Sequence, residues 1–387
     1  MNSVYHGWID VENPPARACL KARLADPDLR VEMTAPAASD CTATVRTGDI
    51  MHSGLVNPID FSRQGRQAGH LAIPYSIDRS PYYQIRIPVL RLKNGEGPSL
   101  LLMAGNHGDE YEGELQLGRL MRLLEVTKIR GAVTVLPMAN LPAVMAGKRC
   151  SPFDGGNLNR AFPGDPTGSP TARLAYFLEH ELFPRHDAVL DLHSGGTSMA
   201  HLPCTLIERQ ADGARFERSI SLMRAIGASH AFIADNGPTA PTSMGAAGRA
   251  GTVGLSGEFG GGGTVTPETM AFTAAAIDRL LVTLGIVERP VLSRVPLPEP
   301  GPLQLLSLSR HSQGIYANRR GWFEPAVALG ANVAAGELAG WYHDLERLEQ
   351  PEEELRFAES GIVISHRLHC DSQAGDCLIQ VAEPIAS

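Results

Sequence analysis

The stretch Pro98-Ser-Leu-Leu-Leu-Met-Ala-Gly-Asn-His107-Gly-Asp-Glu110 decides the fold. A short apolar run that stops at a glycine reads as a strand buried on both faces, the pattern of a parallel sheet covered by helices. A second run, Ala188-Val-Leu-Asp-Leu-His193-Ser-Gly-Gly196, repeats it. Open α/β sheets place their active sites at the carboxyl ends of such strands. There the two segments offer the imidazoles of His107 and His193 and the carboxylate of Glu110. Two histidines and one carboxylate are the donor set of a catalytic zinc site that leaves a position open for water.

A His and a Glu three residues apart occur by chance in many chains, so the flanking residues matter. Gly105 and Gly108 bracket His107 and allow a sharp turn at the end of the strand. The segment from Glu110 to Leu124 then reads as a helix that begins at the metal, with His107 and Glu110 about one turn apart. In the second strand, period-two alternation puts Asp191 on the same face as His193. Asp191 is either a support for that histidine or a polar residue at a strand end.

The remaining composition restricts the partners. With 387 residues, 43% of them hydrophobic, the chain can bury a full core, and its length suggests two domains with a small appendage. A net charge of −8 without a basic block argues against nucleic acid or an anionic membrane surface. No stretch approaches the roughly 18 consecutive apolar residues of a membrane span. The first ten residues carry neither a basic start nor an apolar signal core. Cys19, Cys41, Cys150, Cys204, Cys370 and Cys377 are scattered with no CxxC pair, which suits reduced thiols. The expectation is a cytoplasmic protein.

Along the chain, residues 1–45 lack a sustained hydrophobic period and read as an extension. Residues 46–290 carry the alternating pattern of an α/β domain. In it, Ile85–Leu92, Leu100–Ala104, Ala132–Leu136 and Ala188–Leu192 are expected strands, and Ala271–Leu284 is the closing helix. The proline-rich segment 287–302 resembles a linker. Residues 303–387 turn to short β-like runs punctuated by glycine, a small all-β module with the texture of the barrel-sandwich folds of biotinyl and lipoyl carriers. Such carriers need a lysine at a hairpin tip, and no lysine follows Lys148. A structural, rim-forming or self-associating role is left, so a homo-oligomer is one expectation.

Between the two metal segments lies a long irregular loop, Met138 to Gly164, that holds Arg149, Asp154, Asn157, Asn159 and Arg160. A guanidinium suits a substrate carboxylate, and a second can stabilise charge developing on a carbonyl oxygen. Further on, Gly254-Leu-Ser-Gly-Glu258-Phe-Gly-Gly-Gly-Gly263 ends an expected strand on a carboxylate. A glutamate at a sheet edge is a credible general base for an activated water.

Four motifs in this order, H-x-x-E, N-x-N-R-x-F-P-G, D-L-H-S-G-G and E-x-G-G-G-G, resemble the succinylglutamate desuccinylase/aspartoacylase group of zinc carboxypeptidase-like hydrolases. The resemblance spans residues 65–387. The phrases around Gly69, Asn106 and Ser151 look most like its branch of Nα-acetyl-L-2,4-diaminobutyrate deacetylases of ectoine breakdown. It implies an α/β fold with a carboxypeptidase-like mixed sheet flanked by helices, and hydrolysis of a small N-acylated amino acid. It also implies one zinc ion held by His107, Glu110 and His193, with Glu258 as general base and Arg149 polarising the scissile carbonyl. Asn159 and Arg160 would grip the substrate carboxylate, with Asn157 in the same substrate-binding motif. Aspartoacylases carry Asp where Asn157 stands, so the group behind His107 is either Asn157 or Asp154. For a cationic substrate, Asp109, Glu112 and Glu114 could form an acidic wall, or simply the negative first turn of a helix. The rivals are hydrolysis of another acyl group, such as succinyl, and a non-catalytic metal-dependent binding protein on the same fold.

Overall fold

The computed structural model describes residues 53–293, 297 and 301–385. The expected N-terminal extension, 1–45, lies outside them. A two-residue turn at Asp78 and Arg79 joins β1 (Gly65–Ile77) and β2 (Ser80–Asn94) into a long antiparallel hairpin. Then follow β3 (Ser99–Ala104), α1 (Tyr111–Leu123), β4 (Gly131–Leu136), α2 (Leu141–Ala146), α3 (Pro170–Phe177) and β5 (Ala188–His193). β6 (Met199–His201), β7 (Cys204–Glu208), α4 (Gly213–Ile226), β8 (His230–Ala234), α5 (Ser243–Arg249), β9 (Val253–Glu258) and α6 (Pro267–Thr283) complete this half.

The strands lie in the order β1-β2-β4-β3-β5-β9-β7-β8. Only β4, β3, β5 and β9 form the continuous parallel centre that the apolar runs suggested; β2 joins β4 and β7 joins β9 antiparallel. The chain reverses at residues 95–98, between β2 and β3, and again between β5 and β7, so the sheet is mixed.

Period-two alternation splits the central strands between two cores. Leu100, Leu102, Leu190 and Leu192 pack with Leu117 and Leu120 of α1, Met223 of α4 and Ile277 and Leu280 of α6. Leu101, Met103 and Val189 face Leu174 and Phe177 of α3 and Ala246 and Ala247 of α5. Each fully buried leucine contributes about 1.5–3 kcal/mol, so the strands that carry the site are also the best anchored. Asp191 and His193 alternate with the first set and therefore point toward the α5 side.

The C-terminal strands are β10 (Gln304–Ser307), β11 (Gly314–Tyr316), β12 (Gly321–Pro325), β13 (Asn332–Val333), β14 (Leu338–His343), β15 (Glu353–Arg356), β16 (Gly361–Arg367), β17 (Asp371–Ser372) and β18 (Cys377–Pro384). β15, β14, β12 and β17 make a separate four-stranded antiparallel sheet. β10 lies parallel to β8 and carries β18 and β16 onto the large sheet. The segment starting near residue 303 therefore contributes a strand to the large sheet before turning into the β module. Among the described residues, no helix is long and apolar enough to cross a membrane.

His186, just before β5, is buried at the sheet's lower edge. Its Nδ1 lies 2.9 Å from the Leu182 carbonyl and its Nε2 2.8 Å from Thr134 Oγ1. Burial pushes its pKa down to about 3, against the opposing pull of that carbonyl. The folded form therefore refuses a proton that the unfolded chain accepts below about pH 6.5. Stability falls as pH drops from that value toward 3, by at most about 1.4 kcal/mol per pH unit from this group. In urea titrations between pH 6.5 and 5, His186→Gln should flatten this slope; an unchanged slope would clear His186 of the effect.

Candidate active site

β3 ends at Gly105, whose φ of +67° turns the chain. A Cβ there would come within 2.9 Å of Met138 and Val144. At Gly108 a Cβ would overlap the Ala143 backbone at 2.0–2.1 Å, and its N–H donates to the Lys148 carbonyl at 2.9 Å. The two glycines let the His107 loop press against α2. Glu110 then sits at the start of α1, where the helix N-terminus favours a carboxylate.

Parallel pairing of β3 with β5, in the register Met103↔Asp191 and Ala104↔Leu192, brings the second segment alongside. Glu110 Oε1 lies 2.7 Å from His107 Nδ1, and Oε2 lies 2.9 Å from His193 Nδ1. Ser194 N–H donates to Oε2 at 3.2 Å. All three side chains are at most 5% exposed. Burial by itself would raise the pKa of Glu110, but the charge of His193 and hydrogen bonds from both histidines hold it down at about 2. Burial likewise works against a charged His193, yet the carboxylates of Asp191 and Glu110 hold its proton well above the usual imidazole range.

Both imidazoles are fixed from behind. His107 Nε2 lies 3.1 Å from Asn157 Oδ1, and His193 Nε2 lies 2.8 Å from Asp191 Oδ2. A bound cation would take the place of the protons between these Nδ1 atoms and Glu110; with the Nε2 atoms donating outward, the neutral imidazoles then turn their Nδ1 lone pairs on one point. One donor atom from each of His107, Glu110 and His193 lies within 4.8 Å of the others. Two imidazole nitrogens and a carboxylate oxygen, converging and supported by outward acceptors, fit a divalent metal.

The choice between Asn157 and Asp154 resolves in favour of Asn157 as the group behind His107. Asp154 accepts from Thr171 N–H at 2.8 Å, Thr171 Oγ1 at 2.9 Å and Gly156 N–H at 3.0 Å. Burial opposes its charge, but these bonds hold its pKa below the usual carboxylate range. It braces the loop. Asp191 is a support for His193, not a stray polar residue: Oδ2 also accepts from Asn106 Nδ2 at 3.0 Å and Ser243 Oγ at 2.5 Å.

The arginines overhang this centre. Arg149 Nη1 lies 3.4 Å from His107 Nδ1 and 3.5 Å from Glu110 Oε1, its side chain half open to solvent. Arg160 donates to the Asn159 carbonyl at 2.7 Å, and no carboxylate pairs with it among the described residues. Partial burial and then the adjacent Arg149 charge push its pKa down. Arg149 thus has Glu110 as a carboxylate neighbour, whereas Arg160, among the described residues, has only the Asn159 carbonyl. Asn159 Oδ1 accepts from Ser243 N–H at 2.8 Å, which ties that loop to α5.

Glu258 closes β9 in register with His193, so the two side chains leave the sheet on the same face. Its Oε2 is buried and has no hydrogen-bond partner. Of the three further acids, Asp109 accepts from Thr197 N–H at 2.8 Å and Oγ1 at 3.0 Å, bracing the loop after His193. Burial raises the pKa of Glu112, and burial with the charges of Glu110, Asp109 and Glu112 pushes Glu114 up to about 8.

The C-terminal module reaches this rim. β16 pairs with β6, and Leu368 N–H donates to the Ser198 carbonyl at 2.9 Å. The glycine run binds the same loop from the other side, through Gly195 N–H to Gly260 O at 3.1 Å and Gly263 N–H to Gly196 O at 2.7 Å. Sequence reasoning missed Ser243 and Asn106. Ser243 shows only as a polar residue at a helix start, and its partner is 52 positions away.

Sheet edge, donor triad and overhanging arginines define a class: α/β proteins with a His–Glu–His triad of metal-binding chemistry at the carboxyl ends of their strands. Residues 96–284 match the family model of the succinylglutamate desuccinylase/aspartoacylase catalytic domain. A protein of Halomonas elongata named N-alpha-acetyl-L-2,4-diaminobutyric acid deacetylase is 37% identical over 329 residues, 85% of this chain and 95% of the relative. Among solved structures, a succinylglutamate desuccinylase/aspartoacylase from Rhodobacter sphaeroides superposes with a TM-score of 0.79 at 34% identity, covering 86% of this chain and 100% of that one. The product-bound ectoine utilization protein EutE (DoeB) from Ruegeria pomeroyi gives 0.80 at 31% identity, covering 86% and 100%. The chain belongs to the succinylglutamate desuccinylase/aspartoacylase family and is an amide hydrolase.

Asn157→Ala should weaken metal retention by about 10–100-fold, the usual cost of losing an outer support. Asp154→Ala should leave it within a few-fold of the parent. Chelator competition checks both, and the reverse order would return Asp154 to the role behind His107.

Proposed function

We propose that this protein is a zinc-dependent deacetylase of N-acetylated amino acids, with Nα-acetyl-L-2,4-diaminobutyrate as its substrate. The observation that carries the reading is the 37% identity, over 95% of its length, with a relative named for that activity. The buried triad of His107, Glu110 and His193 supports the metal. Zinc suits two imidazoles and a carboxylate, and when bound it supplies Lewis acidity to the carbonyl and the attacking water.

The chain's own residues supply the rest. Arg160 and Asn159 bind the α-carboxylate and hold the amide over the triad. Arg149, within 3.5 Å of Glu110 Oε1, faces the carbonyl oxygen and stabilises the negative charge that develops on it. Glu258, with an unpartnered oxygen beside His193, takes a proton from water as oxygen adds to the acyl carbon. It returns that proton to the nitrogen as the C–N bond breaks, leaving acetate and a free amino acid. Asn157 and Asp191 keep both imidazoles from rotating while charge builds between them.

Glu258→Gln should leave zinc content unchanged while kcat falls by about 10² or more; near-normal turnover would remove Glu258 as the base. Arg160→Ala should act mainly by raising KM, and an unchanged KM would refute the carboxylate clamp. A hydrolysis panel varying acyl length and side-chain charge separately tests the substrate. Fastest turnover on the acetyl derivative of diaminobutyrate is expected. Faster turnover on a succinyl derivative, or on acidic amino acids, would overturn the assignment.

A further inference from the structure

The first residue of α5 makes two hydrogen bonds into the site from one position. Ser243 Oγ donates to Asp191 Oδ2 at 2.5 Å, and its backbone N–H donates to Asn159 Oδ1 at 2.8 Å. Ser243 is 2% exposed and Asp191 1%, so the bond between their side chains does not compete with solvent. We propose that Ser243 is a positioning residue for the metal-binding histidine His193, acting through Asp191.

The reasoning starts from the hydrogen-bond count at Asp191. Three donors converge on Oδ2: His193 Nε2, Asn106 Nδ2 and Ser243 Oγ. The other oxygen, Oδ1, is buried with no partner. A carboxylate so unevenly loaded keeps its orientation only while the donors on the occupied side hold it. Ser243 makes the shortest of the three bonds, from a residue whose own backbone is fixed. Without that hydroxyl the carboxylate can turn and offer Oδ1 to His193 Nε2, and the plane of the imidazole is no longer set.

Ser243 can hold Asp191 because α5 is fastened at both ends. At its start Thr242 caps the helix, accepting from Gly245 N–H at 3.1 Å. At its end Arg249 makes a two-pronged pair with the buried Glu179, Nε to Oε1 and Nη2 to Oε2, both at 2.8 Å. Arg249 Nη1 also donates to the Ala240 carbonyl at 2.8 Å, fixing the segment that enters the helix. The clamp residue Asn159 uses only the backbone N–H of Ser243, so the two functions of this residue are separable by changing its side chain.

The inference rests on His193 being a metal ligand, and the test separates the two. Zinc(II) affinity is measured by competition with a chromophoric chelator in Ser243→Thr and Ser243→Val, which match in shape and differ in the hydroxyl, and in His193→Ala. The expected result is retention near the parent's in the Thr variant and a loss of about 10–100-fold in the Val variant. KM for the N-acyl substrate at saturating zinc should stay within about threefold of the parent's in both, because Asn159 keeps its partner. Equal retention in Thr and Val, with zinc lost from His193→Ala, overturns the role of Ser243 alone. Zinc retained in His193→Ala overturns the metal-site reading on which it rests.

Discussion

The parallel pairing of β3 with β5 is the constraint on which the rest of the site depends. Its register sets Ala104 beside Leu192, so the two chain segments leave the sheet edge side by side and their ligand residues meet within hydrogen-bond distance. Both strands are buried on both faces between helices, and their apolar residues serve two cores at once. Sliding one strand by a residue would turn Asp191 and His193 toward the opposite core. The packing that stabilises the sheet is therefore the same packing that holds the triad together.

Bringing Glu110 between two imidazoles out of water is costly unless each charge and each nitrogen finds a partner. The structure meets that requirement from separate parts of the chain. Asn157 comes from the long loop, Asp191 from β5 itself, Ser194 N–H from the turn after β5, and Arg149 from the segment after α2. Outward acceptors set which nitrogens face the centre. The glycine run and β16 grip the loop after His193 from two sides, so that the C-terminal module acts on the rim of the site without supplying a residue to the triad.

The triad itself was legible because its residues stand in short motifs at the ends of two apolar runs. Strand periodicity alone placed Asp191 with His193. It could not decide whether that placement mattered, since a carboxylate at a strand end looks the same with or without a partner. Likewise Asn157 and Asp154, three residues apart, are equivalent as text; only the contacts of Asp154 with Thr171 show that it is already occupied. The mixed sheet that the family resemblance implied keeps the parallel centre that the apolar runs suggested, and β2 runs against that centre because residues 95–98, between β2 and β3, are too few for a crossover.

By itself the sequence determined the strands that carry the site, the ligand residue types and the family, because these are local patterns: apolar runs, glycine stops, and fixed spacings within a few residues. Tertiary structure alone decided which groups stand behind the ligands. Ser243, Asp191 and Asn159 meet across 52 and 84 positions of chain. A hydrogen bond of that kind is created by the packing of α5 against the sheet, and no local pattern of residues encodes it.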